Sequence, residues 1–312
     1  MLLAFQPNLV ERTVFEAARR DDMIRREYER QFAACYDHRD EARRDRAFSS
    51  LHQQWFEDLG MRSRFLRLIE ECPHISRKVR RCMVTQAPAP SAQACELFGS
   101  PGKYSVVLAV APATLLNEAA FEYWLRHELL HVEDMLDPPF GFEVSRRPRN
   151  ASAALRNLNQ DRYAVLWAMW VDARLAGRNL LPSGVKERRR AELARAFTLD
   201  DDAAASRVFD QLWQNAQTDA PNHRTLIEWA ERGLPGIDTR PAAESSSATA
   251  PSGGACSLCG FRTFEWAARS QFHPHLCEVI VADFPNWHAE QPVCARCAEV
   301  YDAIAKSAPA CA

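Results

Sequence analysis

The five residues His127-Glu128-Leu129-Leu130-His131 constrain this chain more than any other stretch. Histidines four apart stand one above the other on a helix face, so on a helix both imidazoles can reach one metal ion. Glu128 then lies one position round, placed to take a proton from a water at that ion. The flanks support a helix. Phe121, Leu125, Leu129, Val132 and Leu136 recur at three- and four-residue spacing. Such a stripe packs inward and leaves His127 and His131 on the adjoining face. The competing reading is a pair of helical histidines hydrogen-bonded to core neighbours.

The stretch resembles the active-site helix of the zincin metallopeptidases. That resemblance implies a catalytic zinc held by His127 and His131, Glu128 as general base, and hydrolysis of peptide bonds in a protein or peptide substrate. It covers one helix and, more loosely, the segments beside it. A third protein ligand is needed, and gluzincin-type sites take a carboxylate from a second helix. Asp172 is the expected ligand. It ends the apolar run Tyr163–Val171 on a helix expected to be buried, and its helical neighbours Ala168, Met169, Leu175 and Ala176 include no cation. A buried carboxylate without a partner is costly, so zinc, or a cross-helix arginine such as Arg126, must supply one. Glu133, Asp134 and Asp137 are nearer in sequence. Asp134 lies about 10 Å along the helix from His127, too spread for one ion. Asp137 stands at the metzincin spacing, but Asp134 occupies the place of the glycine that turns the chain there.

The chain has 312 residues, 47% of them hydrophobic and 26% charged, with a net charge of −2. That length accommodates two or three domains and a sizeable core. The near-neutral charge gives no general affinity for nucleic acid or an anionic membrane. Residues 1–10 lack a basic stretch and a long apolar run, so no secretory signal is expected there. Tyr163–Val171 is too short to span a bilayer. Four of the ten cysteines form CxxC pairs, which with no export signal favours metal-bound thiolates in a reducing cytoplasm over disulfides.

Four regions are expected. Residues 1–86 read as a helical N-terminal region from about Leu9 to Val84, whose arginine doublets are interleaved with acids as on a solvated face. Residues 87–236 read as the zincin-like domain. Here a β-hairpin, Cys95–Phe98 and Tyr104–Val110 about Gly99-Ser100-Pro101-Gly102, precedes the HExxH helix, capped by Thr114 or Asn117. In zincins an edge strand beside the metal pairs with extended substrate, and strand addition supplies the physical logic. Further helices are expected over about Ala153–Ala176, Val185–Phe197, Asp201–Asn215 and His223–Arg232. Tyr123, Tyr163 and His223 are available to stabilise an oxyanion, with no spacing to choose among them. Residues 237–255, rich in Pro, Ala, Ser, Thr and Gly, read as a linker.

Residues 256–312 hold Cys256-Ser-Leu-Cys259-Gly260 and Cys294-Ala-Arg-Cys297. Two such knuckles indicate a closed four-thiolate structural zinc, and the segment resembles a zinc ribbon or treble-clef finger. About fifty residues supply too little core without the metal. His273, His275 and Cys277 alternate and would share one face of a strand, but four thiolates leave no vacancy for them. From Cys256 to Ala305 three cations face six anions, a net charge of −3. Phosphate neutralisation drives nucleic-acid binding, so this balance argues against it and favours a protein partner or a purely structural role. The order, HExxH and then paired CxxC, is similar to that of the SprT-like proteases that act on DNA-bound proteins. The whole reads as a mainly helical α+β chain with two zinc ions, one catalytic and one structural. The alternatives are a non-catalytic zinc-binding interaction module and a DNA-coupled protease.

Overall fold

The structure, a computed structural model, describes residues 1–143, 153–199, 202–218, 221–235, 253–285 and 287–307. Most of the expected linker, the end of the loop after Pro139 and Cys311 lie outside the described residues. The chain divides into two compact units. The first comprises Met1–Glu143, Trp167–Arg188 and Trp213–His223; the second comprises Val144–Leu166, Arg189–Leu212 and Arg224–Ala312.

The first unit opens with strand β1 (Leu2–Phe5) and five helices: α1 (Pro7–Arg20), α2 (Asp22–Ala34), α3 (Glu41–Asp58), α4 (Met61–Glu70) and α5 (Pro73–Lys78). Their boundaries are written locally. Asp21 and Asp40 accept backbone N–H groups at the starts of α2 and α3, and Pro7 and Pro73 stand where a missing N–H does no harm. Strands β2 (Val79–Gln86), β3 (Ala94–Phe98) and β4 (Tyr104–Val110) follow. The sheet order is β1-β2-β4-β3. β1, β2 and β4 are parallel, and β3 runs antiparallel to β4 with Cys95 opposite Leu108. Gly99 turns the hairpin at φ +102, where a Cβ would meet the Lys103 carbonyl oxygen at 2.4 Å.

Two expectations change here. The region read as helical contains β2, a central strand, and residues 1–86 share their sheet with the hairpin. A boundary at 86/87 therefore falls inside one unit. The cause is visible in β2. Its register shifts between Val79 and Arg81, so its buried residues are Val79, Cys82 and Val84. The first interval is three residues, as on a helix. The strand just before the HExxH helix, β4, is likewise an inner strand, and the edge belongs to β3.

Helices α6 (Pro112–Leu115), α7 (Glu118–Leu136) and α8 (Ala153–Gly177) follow. Asn117 caps α7 by accepting the Ala120 N–H. Phe121, Leu125, Leu129, Val132 and Leu136 are all buried in one core with Phe56, Phe65, Val106 and Leu108. Each large apolar side chain so buried contributes about 1.5–3 kcal/mol, so α7 is fixed by its stripe without help from a metal. Helices α9 (Val185–Ala196), α10 (Asp202–Thr218) and α11 (His223–Arg232) complete the helical part. Among the described residues no helix is long and apolar enough to cross a membrane.

In the second unit, strands β5 (Gly254–Ala255) and β6 (Arg262–Thr263) form a small antiparallel hairpin, followed by helices α12 (Pro274–Asp283) and α13 (Ala295–Ser307). His273, His275 and Cys277 do not share a strand face. Pro274 starts α12, and the His273 ring nitrogen caps it at the Leu276 N–H. The chain is thus mainly helical α+β with a small four-cysteine module.

Candidate metal centres

α7 carries His127, Glu128 and His131 on a partly buried face beside its apolar stripe. The two imidazoles are turned toward each other, with Nε2 atoms 3.3 Å apart. Two tetrahedral ligands at zinc–nitrogen lengths of about 2.0–2.1 Å stand about 3.3–3.4 Å apart. The pair has the spacing that a shared zinc ion requires.

α8 seats both rings. Asp172, fully buried, places Oδ1 2.8 Å from His127 Nδ1, and the Tyr123 hydroxyl lies 3.1 Å from both of its oxygens. The Trp167 ring meets that of His131 edge to face at 4.5 Å. Trp167 is itself held, since its indole N–H donates to Asp134 at 2.9 Å and Arg174 donates to both Asp134 oxygens at 2.7 and 2.6 Å. An outer carboxylate on the distal nitrogen of a metal-ligating histidine fixes both tautomer and ring direction.

The structure brings Asp172 to the histidine pair, but to Nδ1 of His127, on the ring side turned away from His131. The contact that Asp172 makes in this structure is with the imidazole. Arg126, the expected alternative partner of Asp172, pairs instead with Glu71 and Glu122. The nearer carboxylates are also engaged: Glu133 accepts the His74 and Ile75 backbone N–H groups, Asp134 holds Arg174, and Asp137 lies 3.6 Å from His74 Nε2. Of the oxyanion candidates, Tyr123 faces Asp172, and His223 sets Nε2 3.2 Å from the Glu143 carbonyl oxygen. Tyr163 is partly buried on α8.

β3 packs against α7. Burial first, and then the neighbouring Glu128 carboxylate, push the Cys95 thiol well above its usual range. Sequence reasoning missed Trp167, Arg174 and the role of Asp134. One signal was present for Tyr123, which stands one helical turn before His127.

No protein family, curated protein or solved structure matches this chain.

The second centre stands apart in construction. The sulfur atoms of Cys256, Cys259, Cys294 and Cys297 all lie within 4.8 Å of one another, and among the described residues they are the one group of three or more metal-binding side chains so assembled. Cys259 and Cys294 are 4.0 Å apart, close to the roughly 3.8 Å between thiolates at about 2.3 Å from a tetrahedral zinc. Backbone N–H groups serve the sulfurs, with Cys294 N–H on Cys256 at 3.3 Å and Cys297 N–H on Cys294 at 3.4 Å. Burial raises the Cys256 thiol, but the N–H groups of Cys294, Cys259 and Leu258 outweigh it and bring it down to about 7. Gly260 makes the turn after the first knuckle at φ +72. The second pair opens α13, with Cys294 bridged to Trp266 and Cys297 in the first helical turn. The four cysteines form a group able to hold a metal ion.

Proposed function

We propose that this chain is a zinc-dependent peptidase whose histidine pair holds the catalytic ion. The observation that carries the reading is the 3.3 Å apposition of the His127 and His131 Nε2 atoms with Asp172 behind His127. His127 and His131 would hold zinc, with Asp172 orienting His127. Zinc, when bound, supplies a water of lowered pKa and polarises a carbonyl. Glu128, adjoining both histidines on α7, takes the proton from the attacking water and returns it to the departing amine. The outer side of β3 has no further strand among the described residues, and β3 packs on α7. A peptide added there would lie extended beside Glu128, held by backbone hydrogen bonds.

The four cysteines hold a second, structural zinc in this reading. Placing the second pair at a helix start favours the treble-clef form over the ribbon. Its net charge of −3 suits a protein partner better than nucleic acid. Four of the ten cysteines paired for a metal rather than for disulfides suit a reducing cytoplasm. The test compares the proteomes of cells carrying wild type or Glu128→Gln, with cleavage of the enriched substrates repeated with purified protein. New protein termini that appear with wild type alone are expected. Equal cleavage by both proteins overturns the mechanism, and no cleavage by either leaves a non-catalytic zinc module.

A further inference from the structure

Four side chains form a hydrogen-bonded line from the protein surface to the histidine pair. Exposed Arg188 sets Nη2 3.0 Å from the Tyr123 hydroxyl. That hydroxyl reaches both oxygens of Asp172 at 3.1 Å, and Asp172 Oδ1 lies 2.8 Å from His127 Nδ1. The directions of these bonds follow from which groups can donate. A guanidinium only donates, so the phenol oxygen accepts from Arg188. The single phenol hydrogen is then the one shared with Asp172. A carboxylate only accepts, so His127 Nδ1 must carry the ring hydrogen. In a neutral imidazole the other nitrogen is then bare. That nitrogen is Nε2, which faces His131.

We propose that Tyr123 and Arg188 are positioning residues that lock His127 in the Nδ1-protonated tautomer and so present a bare Nε2 before any metal arrives. The inference rests on the reading of the histidine pair as a metal site. It adds that the site is readied by residues that touch neither metal nor substrate. Both act through Asp172, by restraining its carboxylate. Tyr123 grips both oxygens, and Arg188 prevents the phenol hydrogen from turning away.

The experiment uses the full chain. Nitrogen-15 NMR of the His127 ring in metal-free protein reads the tautomer directly, and cobalt(II) absorption, with zinc kept at the cysteines, reads affinity at the histidine pair. Wild type is expected to show an unprotonated Nε2. Tyr123→Phe is expected to mix the tautomers and to weaken cobalt binding by about 10-fold, the low end for loss of an outer partner. Arg188→Met should move both readouts the same way by less, and Arg188→Lys, which restores a donor, should recover them. A protonated Nε2 in wild type overturns the proposal. So does Tyr123→Phe with tautomer and cobalt affinity unchanged. If wild type takes up no more cobalt than His127→Ala/His131→Ala, the metal reading itself fails, and the tautomer measurement still decides the lock.

Discussion

The two candidate centres are built on opposite plans. The cysteine centre gathers ligands from two local knuckles, and its surrounding core is small: Leu258, Leu276, Ile280, Trp287 and Val293 are its main buried apolar residues. The histidine centre sits on a helix already fixed by a core of aromatic and aliphatic side chains from α1 to α7. Its outer contacts come from α8, some forty residues further along the chain. A zinc at the cysteines would be part of the fold; one at the histidine pair would be a guest in a fold that its core already fixes. Cysteine spacing therefore announces the first centre in full, whereas HExxH announces only the half of the second that α7 carries.

The largest effect that would sharpen this contrast is metal removal. A chelator, or Cys259→Ser with Cys297→Ser, should unfold the cysteine module, since metal-linked folding in such modules is of order 10 kcal/mol. Hydrogen exchange should show amide protection lost in α12 and α13 and kept in α7. Loss of protection in α7 as well would break the contrast. Next comes the chemistry. Glu128→Gln should lower peptide hydrolysis by about 10²–10⁴-fold with zinc content unchanged at both centres, read by steady-state kinetics beside elemental analysis.

A third test removes a prop of the histidine centre. Asp134→Ala strands Arg174 and removes an acceptor of the Trp167 indole N–H, and breaking such a pair costs about 3–5 kcal/mol. Denaturant unfolding of the first unit should shift by that order while the cysteine centre keeps its zinc. Smaller still is Asp172→Ala, expected to weaken zinc at the histidine pair by about 10–100-fold and leave the cysteine site untouched. Complete loss of zinc there would restore Asp172 to the ligand set, so titration separates orientation from ligation. The smallest effect is a pH dependence far from both centres. His52 is buried among Phe15, Phe32 and Phe48, with its Nε2 2.9 Å from the Tyr28 hydroxyl. Burial lowers its pKa below 6.5. The unfolded chain then binds the proton more readily, so His52 costs stability as pH falls below about 6.5, and His52→Gln should flatten that part of the profile.

Much of the architecture was legible because it is local. The stripe from Phe121 to Leu136, the Asn117 cap, the β3–β4 turn at Gly99 and the cysteine knuckles all depend on neighbours within a few residues. β1 and β2 were not legible, since their pairing joins Leu2 with Arg81 and the shifted register of β2 disguises its period. The site divides along the same line. Spacing finds His127, Glu128 and His131. A buried Asp172 needs a partner, and the structure brings it the His127 imidazole and the Tyr123 hydroxyl, which no local spacing marks. The seating of Trp167 by Asp134 and Arg174 joins residues more than thirty positions apart, and no local pattern marks it.

The parallel pairing of β1 with β2 has a consequence for the chain during synthesis. Leu2–Phe5 is made roughly eighty residues before its partner, a delay of about 4–16 s at usual elongation rates. The five helices between them must wait as a partly assembled layer, with the apolar faces of α1 and α4 awaiting a sheet that cannot yet exist. Long-range parallel pairing is slow in any case. Until β2 and β4 are made, the nascent segment from β1 to α5 carries apolar surface that a chaperone would protect.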